Sequence, residues 1–203
     1  MRRGQRDLSV RTATGDEISA VGGVLASAFY DDRMYKWIVP DDAQRARGGA
    51  DFFTLFARAC HPHNAVYRCD DVGAAVWLPP ETQPEPDGDA DSFGQKLAAT
   101  TGDDDSAARM AAVVELQDAH HPSEPHWYLA FMGVVPEGQG QGCGSVMLDH
   151  VLQDVDRQRM PAYLEASCPE NRRLYERHGF RTLGEMQVAD CPPLYPMWRD
   201  ARA

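Results

Sequence analysis

The chain has 203 residues and a formal net charge of −11, with 43% hydrophobic and 25% charged residues. These values suit one globular domain with a sizeable core, and the acidic excess argues against a nucleic-acid partner, because phosphate binding requires clustered Lys and Arg. An acidic surface would either attract a cationic substrate or simply maintain solubility. No apolar run approaches the roughly 20 residues that a bilayer requires, so we predict no membrane association.

The five cysteines are odd in number and include no CxxC pair. Disulfide frameworks and zinc sites require paired or clustered cysteines, so we predict reduced thiols, a cytoplasmic location and no bound metal. The basic segment 1–7 leads into no apolar stretch, unlike a secretory signal. We predict a single domain over residues 1–203, in which residues 81–125 form a loop-and-helix insertion before a central strand.

Apolar patterning predicts a mixed sheet with helices. Strands are predicted over residues 8–13, 65–69, 73–78, 126–135, 162–166, 181–188 and 194–198. Helical spacing predicts helices over residues 16–29, 41–60, 92–100, 106–119, 144–159 and 171–178, the first capped by Asp16. The segment 81–91, rich in Pro and acidic residues, is predicted to be a mobile loop. This order of elements favours an α/β or α+β fold with helices on both faces of one sheet.

The most informative segment is residues 134–145, VVPEGQGQGCGS, which joins a buried strand to an amphipathic helix. Its alternating glycines allow main-chain N–H groups to approach a ligand without interference from Cβ atoms. The helix that follows adds unpaired N–H donors and the positive end of its dipole. The pattern predicts an anion site suited to a pyrophosphate, and the alternative is a glycine-rich turn that binds nothing.

Two common phosphate motifs do not fit this loop. A Walker A loop requires Gly-Lys-Ser/Thr, and the segment contains no lysine. The dinucleotide fingerprint requires a third glycine five residues after the first, and Cys143, Ser145 or Met147 occupies that position, depending on the starting glycine.

The run from Gln139 to Gly144 does resemble the Gln/Arg-x-x-Gly-x-Gly/Ala signature of the GNAT superfamily of N-acetyltransferases. The Val-x-Pro lead-in at 134–136 and the Leu-Tyr-Glu-Arg-x-Gly-Phe stretch at 174–180 are also similar to that superfamily. The resemblance is strong over residues 126–199 and loose over 8–80. Within the superfamily, the segment HPSEPHWYL at 121–129 is most similar to puromycin N-acetyltransferase-like proteins.

The resemblance implies a GNAT fold: a mixed, mostly antiparallel twisted sheet of six or seven strands, flanked by helices, whose fourth and fifth strands splay apart. It also implies acetyl-CoA as co-substrate, with pantetheine along the fourth strand and pyrophosphate in the glycine loop. The residues it assigns to coenzyme A are Met132, Gly133, Val134, Gln139, Gly140, Gln141, Gly142, Cys143, Gly144, Ser145, Asn171 and Tyr175.

Two of these assignments have alternatives. Gly133, inside an apolar strand, indicates a bulge or a ligand passing close by, or else a small residue packed under a helix. Many relatives carry an Asn seven residues before the tyrosine, where this chain has Cys168. The Asn contact with coenzyme A is therefore expected at Asn171, or at the position that Cys168 occupies.

The resemblance implies that Tyr175 is the general acid that protonates the departing thiolate, and the alternative is a core tyrosine. An alkylamine has a pKa of about 10, so a base must remove its proton before attack. Glu165 is the first candidate, acting through water, although a structural carboxylate would fit the same position. His126 and Asp31 are weaker candidates.

The resemblance also implies a substrate pocket lined by the inserted helices at 92–119 and the loop 190–195. It assigns Phe29, Tyr30, Asp31, Met34 and Trp37 to substrate binding, although Met34 and Trp37 would also suit the core. The implied function is transfer of an acetyl group from acetyl-CoA to a primary amine of a small molecule, by direct attack in a ternary complex. The amine could belong to an antibiotic or an amino-nucleoside such as puromycin, which would imply antibiotic resistance.

Two other functions remain open at this stage. One is acetylation of a protein lysine or N-terminus, and the other is non-catalytic sensing of acyl-CoA. The chain is expected to act as a monomer or a homodimer.

Overall fold

A computed structural model of the chain describes residues 8–82 and 90–202. The basic segment 1–7 and most of the predicted loop at 81–91 lie outside the described residues. The strands are β1 Val10–Thr12, β2 Val66–Cys69, β3 Gly73–Leu78, β4 Trp127–Val134, β5 Ala162–Ala166, β6 Arg181–Thr182 and β7 Tyr195–Arg199. The helices are α1 Ile18–Phe29, α2 Arg33–Ile38, α3 Asp42–Cys60, α4 Ala90–Thr101, α5 Asp104–His120, α6 Cys143–Arg157 and α7 Pro169–Arg177.

All seven strands belong to one sheet, in the order β1-β2-β3-β4-β5-β7-β6. Neighbouring strands are antiparallel except β4 and β5, which run parallel. The predicted mixed, mostly antiparallel sheet of six or seven strands is therefore confirmed. Within the described residues, no helix combines the length and apolar character needed to cross a bilayer.

Helix α2 was not predicted from the sequence, and several element boundaries differ from the sequence-based expectation. A 3-10 turn at Gly15–Glu17 precedes α1, so Asp16 lies inside this turn and does not cap the helix. Helix α7 starts at Pro169 rather than at residue 171, since proline suits the first turn of a helix. The strand expected at 181–188 is reduced to β6 and a single bridge from Met186 to Leu194.

The sheet separates two hydrophobic cores, and β3 contributes to both. Ala74 and Val76 pack with α1 and α3 on one face, while Ala75 and Trp77 pack with α6 on the other. This alternation is the expected consequence of successive strand side chains pointing to opposite faces. All six residues of β3 are buried, which explains why its sequence is uniformly apolar.

The alternation of side chains between the two faces of β4 is interrupted at Ala130. The register with β3 pairs Phe131 with Val76 but Leu129 with Trp77, which leaves Ala130 as an extra, bulged residue. Leu129 belongs to the α6 core, whereas Phe131 packs against the α1 core. The bulge therefore turns the Phe131 ring towards the helices α1 and α3.

The parallel pairing of β4 and β5 is short. It covers Trp127 to Leu129 on β4 and Ala162 to Leu164 on β5. Strand β4 continues to Val134 and β5 to Ala166 without further pairing between them. The two strands thus diverge past Leu129 and leave a gap in the middle of the sheet, as the predicted splay of the fourth and fifth strands requires.

Candidate active site

The glycine loop lies at the end of β4 and at the start of α6. Gly140 and Gly142 have φ values of +71° and +90°, a region in which residues other than glycine are strained. A Cβ atom at either position would meet no heavy atom within 4 Å, so the concave side of the loop is open. The Gln139 and Gln141 side-chain amides donate to the carbonyls of Val134, at 3.1 Å, and Glu137, at 2.8 Å, and thereby brace the loop from within.

The main-chain N–H groups of residues 140–145 donate no hydrogen bond within the described part of the chain. Gly142 is the N-cap of α6, and no side chain caps this helix end. The Cys143 side chain is buried, near Gly73, so Cys143 presents only its main chain to the open side. A row of unpaired donors at the positive end of a 15-residue helix can bind an anionic group such as a pyrophosphate.

The gap between β4 and β5 also exposes main-chain groups. Val135 donates to the Val72 carbonyl at 2.8 Å, and the register places Gly133 opposite Ala74. Because amide direction alternates along a strand, the groups of Gly133 face β3 while those of Met132 and Val134 face the gap. An extended ligand could pair with these groups as an added strand does.

Gly133 lacks a side chain for a packing reason. A Cβ at this position would lie 2.5 Å from the Cβ of Ala28 and 3.4 Å from Leu25 Cδ2, both on α1. The bulge expected at Gly133 occurs instead at Ala130. Of the two interpretations of this glycine, the structure therefore supports close approach of a helix.

A cavity of about 710 Å³ opens beside the gap. Its walls come from α1, α2, α3, α5, β4, the end of β5 and α7. Helix α5 contributes one of its faces to the wall, through residues three or four positions apart: Met110, Val113, Val114, Gln117 and Asp118. This volume is typical of sites that enclose a small organic molecule.

The site was compared with known proteins. Residues 101–182, which include β4, the glycine loop, β5 and α7, match the family model described as acetyltransferase (GNAT) domain. This segment of the chain is therefore similar to a GNAT acetyltransferase domain. A Corynebacterium glutamicum structure described as histone acetyltransferase HPA2 and related acetyltransferase is 25% identical, with a TM-score of 0.72 over 97% of both chains.

Two curated relatives match shorter stretches. An uncharacterised N-acetyltransferase of Schizosaccharomyces pombe is 34% identical over 70 residues, and a 5-NmdU N-acetyltransferase of Pseudomonas phage PaMx11 is 28% identical over 74 residues. These stretches are 34% and 36% of this chain, but they span only 26% and 53% of the respective relatives.

Helix α7 places Asn171 and Tyr175 on the same face, four residues apart, and both line the cavity. Burial, followed by the charges of Cys168 and Asp32, raises the pKa of Tyr175, so its hydroxyl keeps its proton at neutral pH. This hydroxyl makes no hydrogen bond to the described residues and remains available to a ligand. Cys168, the N-cap of α7, is not part of the cavity wall, so of the two positions considered for the Asn contact, Asn171 is the one that reaches the cavity.

Glu165 lies on β5, past the point where β4 and β5 separate, and its side chain lines the cavity. The Tyr128 hydroxyl donates to its Oε2 at 2.8 Å, and Gln117 Nε2 lies 3.4 Å from the same atom. The other oxygen, Oε1, is buried without a hydrogen-bond partner. Burial raises the pKa of Glu165 to about 7, against the lowering effect of the Tyr128 hydrogen bond.

The two weaker base candidates are less suitably placed. His126 Nδ1 lies 2.6 Å from the Glu124 carbonyl and must donate to it, which leaves Nε2 as the acceptor in the neutral ring. That Nε2 is 3.2 Å from His121 Nε2, so its lone pair is already engaged. Asp31 is exposed, forms a 2.5 Å ion pair with Lys36 and does not line the cavity.

The carboxylate that reaches the cavity from this loop is that of Asp32, which sequence reasoning missed. Its Oδ1 accepts the N–H groups of Met34 and Tyr35 at 2.9 and 3.1 Å, so it caps α2. Its Oδ2 accepts the Ser167 hydroxyl at 2.6 Å, which ties α2 to the end of β5. An Asp directly before a helix that carries apolar residues is a capping signal that could have been recognised.

The structure divides the five residues predicted to bind substrate. Phe29 and Met34 line the cavity, whereas Tyr30, Asp31 and Trp37 lie outside its wall. Trp37 Nε1 donates to Asp190 Oδ1 at 3.0 Å, and the Arg109 guanidinium lies over the indole ring. Trp37 thus links α2 to α5 and to the C-terminal loop. The Arg45 guanidinium lies over the Tyr30 ring, with its Cζ 5.3 Å from the ring centroid.

We expect Glu165→Gln to stabilise the protein above pH 7. The folded-state pKa of about 7 exceeds the unfolded value of about 4.3, so the native state retains a proton that the unfolded chain loses between these pH values. Stability of the wild type therefore falls as pH rises from about 4.3 to about 7, and Gln removes this loss, which is on the order of 2 kcal/mol.

Urea unfolding at pH 5 and pH 8 measures this effect. The advantage of Glu165→Gln should be larger at pH 8 than at pH 5, and Glu115→Gln, at an exposed position on α5, should show no such difference. Parallel stability curves for Glu165→Gln and the wild type would contradict a buried carboxyl at this position.

Proposed function

We propose that the chain is an acetyl-CoA-dependent N-acetyltransferase that modifies a primary amine of a small molecule. One observation carries this proposal: the unpaired N–H groups of residues 140–145 lie at the end of β4, whose outward-facing amides lead to a cavity containing Tyr175 and Glu165. GNAT acetyltransferases use acetyl-CoA as co-substrate, and the donors present here fit its parts.

The loop 140–145 would hold the pyrophosphate through its amides, because these are the exposed donors at a helix N-terminus. The main chain of Met132 and Val134 would pair with the pantetheine amides in the gap. Asn171, on the cavity face of α7, would bind the coenzyme near its sulfur end. Acetyl-CoA supplies an acetyl group activated as a thioester.

The residues of the cavity can then handle the protons. Glu165 accepts a proton from the ammonium group, directly or through water, and the neutral nitrogen forms a bond to the thioester carbonyl carbon. The N–H of Val134 stabilises negative charge on the carbonyl oxygen. As the C–S bond breaks, Tyr175 gives its proton to the sulfur, and the second proton of the nitrogen restores the tyrosine through solvent.

A small molecule is the favoured acceptor because α5 covers one side of the cavity, whose volume of about 710 Å³ suits a drug-sized ligand. Amines of the antibiotic or amino-nucleoside type, including puromycin, fall within that size.

Coenzyme binding and thiol release together test the proposal. At about 100 times its Kd, acetyl-CoA should add about 2.7 kcal/mol of stability and raise Tm by about 5–10 °C. Thiol release from acetyl-CoA should then depend on an added amine, in a panel that contains puromycin, simple amines and a lysine peptide. Stabilisation without turnover on any amine would point to an acyl-CoA sensor, and preference for the peptide would point to a protein acetyltransferase.

A further inference from the structure

The wall of the cavity contains a cluster of aromatic rings. We call Phe29, Phe52, Phe53, Phe56 and Phe131 the phenylalanine cluster, and all five line the cavity. The ring of Phe131 lies at its centre, 5.2 Å from Phe53 and from Phe56. Phe29 and Phe52 complete it, each 6.1 Å from Phe131. The β4 bulge places Phe131 there, and α1 and α3 supply the other four rings.

Five carboxylates also line the cavity, and Glu165 is the one that is shielded from solvent without capping a helix. Glu81, Asp118 and Glu124 are exposed to solvent. Both oxygens of Asp32 already accept hydrogen bonds, from the α2 amides and from Ser167. Glu165 is half-buried; its Oε2 accepts from the Tyr128 hydroxyl, and the Tyr163 hydroxyl also interacts with this carboxylate.

A carboxylate that is largely shielded from solvent is costly to keep charged unless a cation lies beside it. The described residues that line the cavity include no Lys or Arg that could serve. An ammonium group of the substrate would complete the site, with its charge opposite Glu165. The exposed carboxylates would attract such a cation.

We infer that the substrate is a primary amine attached to an aromatic or similarly apolar body, with the ammonium group facing the Glu165 carboxylate and the body packed against the phenylalanine cluster. This inference rests on the proposed N-acetyltransferase function and specifies its substrate class. A second cation placed against the phenylalanine rings would lose its hydration without gaining a buried partner. The site should therefore prefer aromatic monoamines to diamines.

A direct comparison of amines tests the preference. Phenethylamine and tryptamine should have kcat/KM values at least about tenfold above those of putrescine and agmatine, a ratio typical of one differential contact in an apolar pocket. Titration calorimetry of the same amines into protein saturated with coenzyme A should give the same order of Kd. Equal or reversed preference would overturn the inference and leave the acetyltransferase function standing, whereas no turnover on any amine would contradict the function itself.

Two matched substitutions locate the determinant. Val114 on α5 is 40% exposed and lines the cavity, while Leu183 is 48% exposed and does not. Val114→Glu adds a carboxylate to the wall, so we expect it to shift the ratio of kcat/KM towards diamines by about fivefold or more. Leu183→Glu adds the same charge elsewhere and should leave the ratio unchanged. An equal change in both variants would show that overall charge, not the cavity wall, sets the preference.

The ammonium contact has its own measurement. Glu165→Gln should weaken phenethylamine binding to the coenzyme A complex by about tenfold or more, because it removes the charge opposite the ammonium group. Phe131→Leu should weaken phenethylamine binding more than it weakens putrescine binding. Unaltered Kd values for phenethylamine in both variants would place the amine elsewhere.

Discussion

Tyr175→Phe should reduce kcat by about 100-fold or more while the Kd for acetyl-CoA stays within about twofold of the wild type. General acid catalysis by a positioned side chain contributes about 10²–10⁴-fold, and the phenylalanine lacks the proton that the departing sulfur requires. Tyr175 is 8% exposed and its ring packs edge-on against Phe180, so the variant keeps the packing and loses only the hydroxyl. Pre-steady-state thiol release and calorimetry measure the two quantities separately.

The appropriate control is another buried tyrosine. Tyr67, on β2, is 5% exposed, and its ring packs edge-on against His150 of α6. It does not line the cavity. Tyr67→Phe should leave both kcat and Kd near normal. If Tyr175→Phe turned over as fast as the wild type, Tyr175 would be a core residue and the sulfur would have to take its proton from water or from another group.

The second large effect is expected at Gly142. Gly142→Val should weaken acetyl-CoA binding by about tenfold or more, because φ at this position is +90° and valine cannot hold that backbone without strain. The loop would relax to another conformation, and its amides would no longer converge on one anion. Calorimetric titration of acetyl-CoA measures the change.

Gly102 is the control that distinguishes backbone strain from loss of coenzyme binding. Gly102, between α4 and α5, has a φ of +89°, and a Cβ there would meet only the side chain of Gln44. Both Gly102→Val and Gly142→Val should lower Tm, but only Gly142→Val should lose affinity. Normal affinity in Gly142→Val would remove the glycine loop from the coenzyme site and with it the basis of the proposed function.

The conformation of the glycine loop was largely predictable from local sequence. The loop conformation depends on glycines at neighbouring positions and on a strand and a helix that flank it directly, so all its determinants lie within about a dozen residues. The spacing of Asn171 and Tyr175, four residues apart on one helix, likewise places both side chains on the same face. Such short-range relations are visible in the linear pattern.

The acceptor half was less predictable because its residues come from separate elements. Asp31 and Asp32 are adjacent in sequence, and only the start of α2 decides that Asp32 faces inward while Asp31 pairs with Lys36 in solvent. Trp37 is an aromatic residue of the kind that often lines binding sites, but its indole N–H joins α2 to the C-terminal loop. Tyr128 and Gln117, which hold Glu165, are 37 and 48 residues away from it in sequence.

The amino-acid sequence by itself determined the order and type of most elements, the conformation of the glycine loop and the position of Tyr175 on its helix, because each of these depends on contacts between near neighbours. The tertiary structure decided the bulge at Ala130, the gap past Leu129 and the phenylalanine cluster around Phe131. Those features depend on the register between strands and on how α1, α3 and α5 pack across the sheet. Side-chain patterns along one segment do not encode which distant residue will lie opposite, so the chemistry of the cavity became visible only in the folded chain.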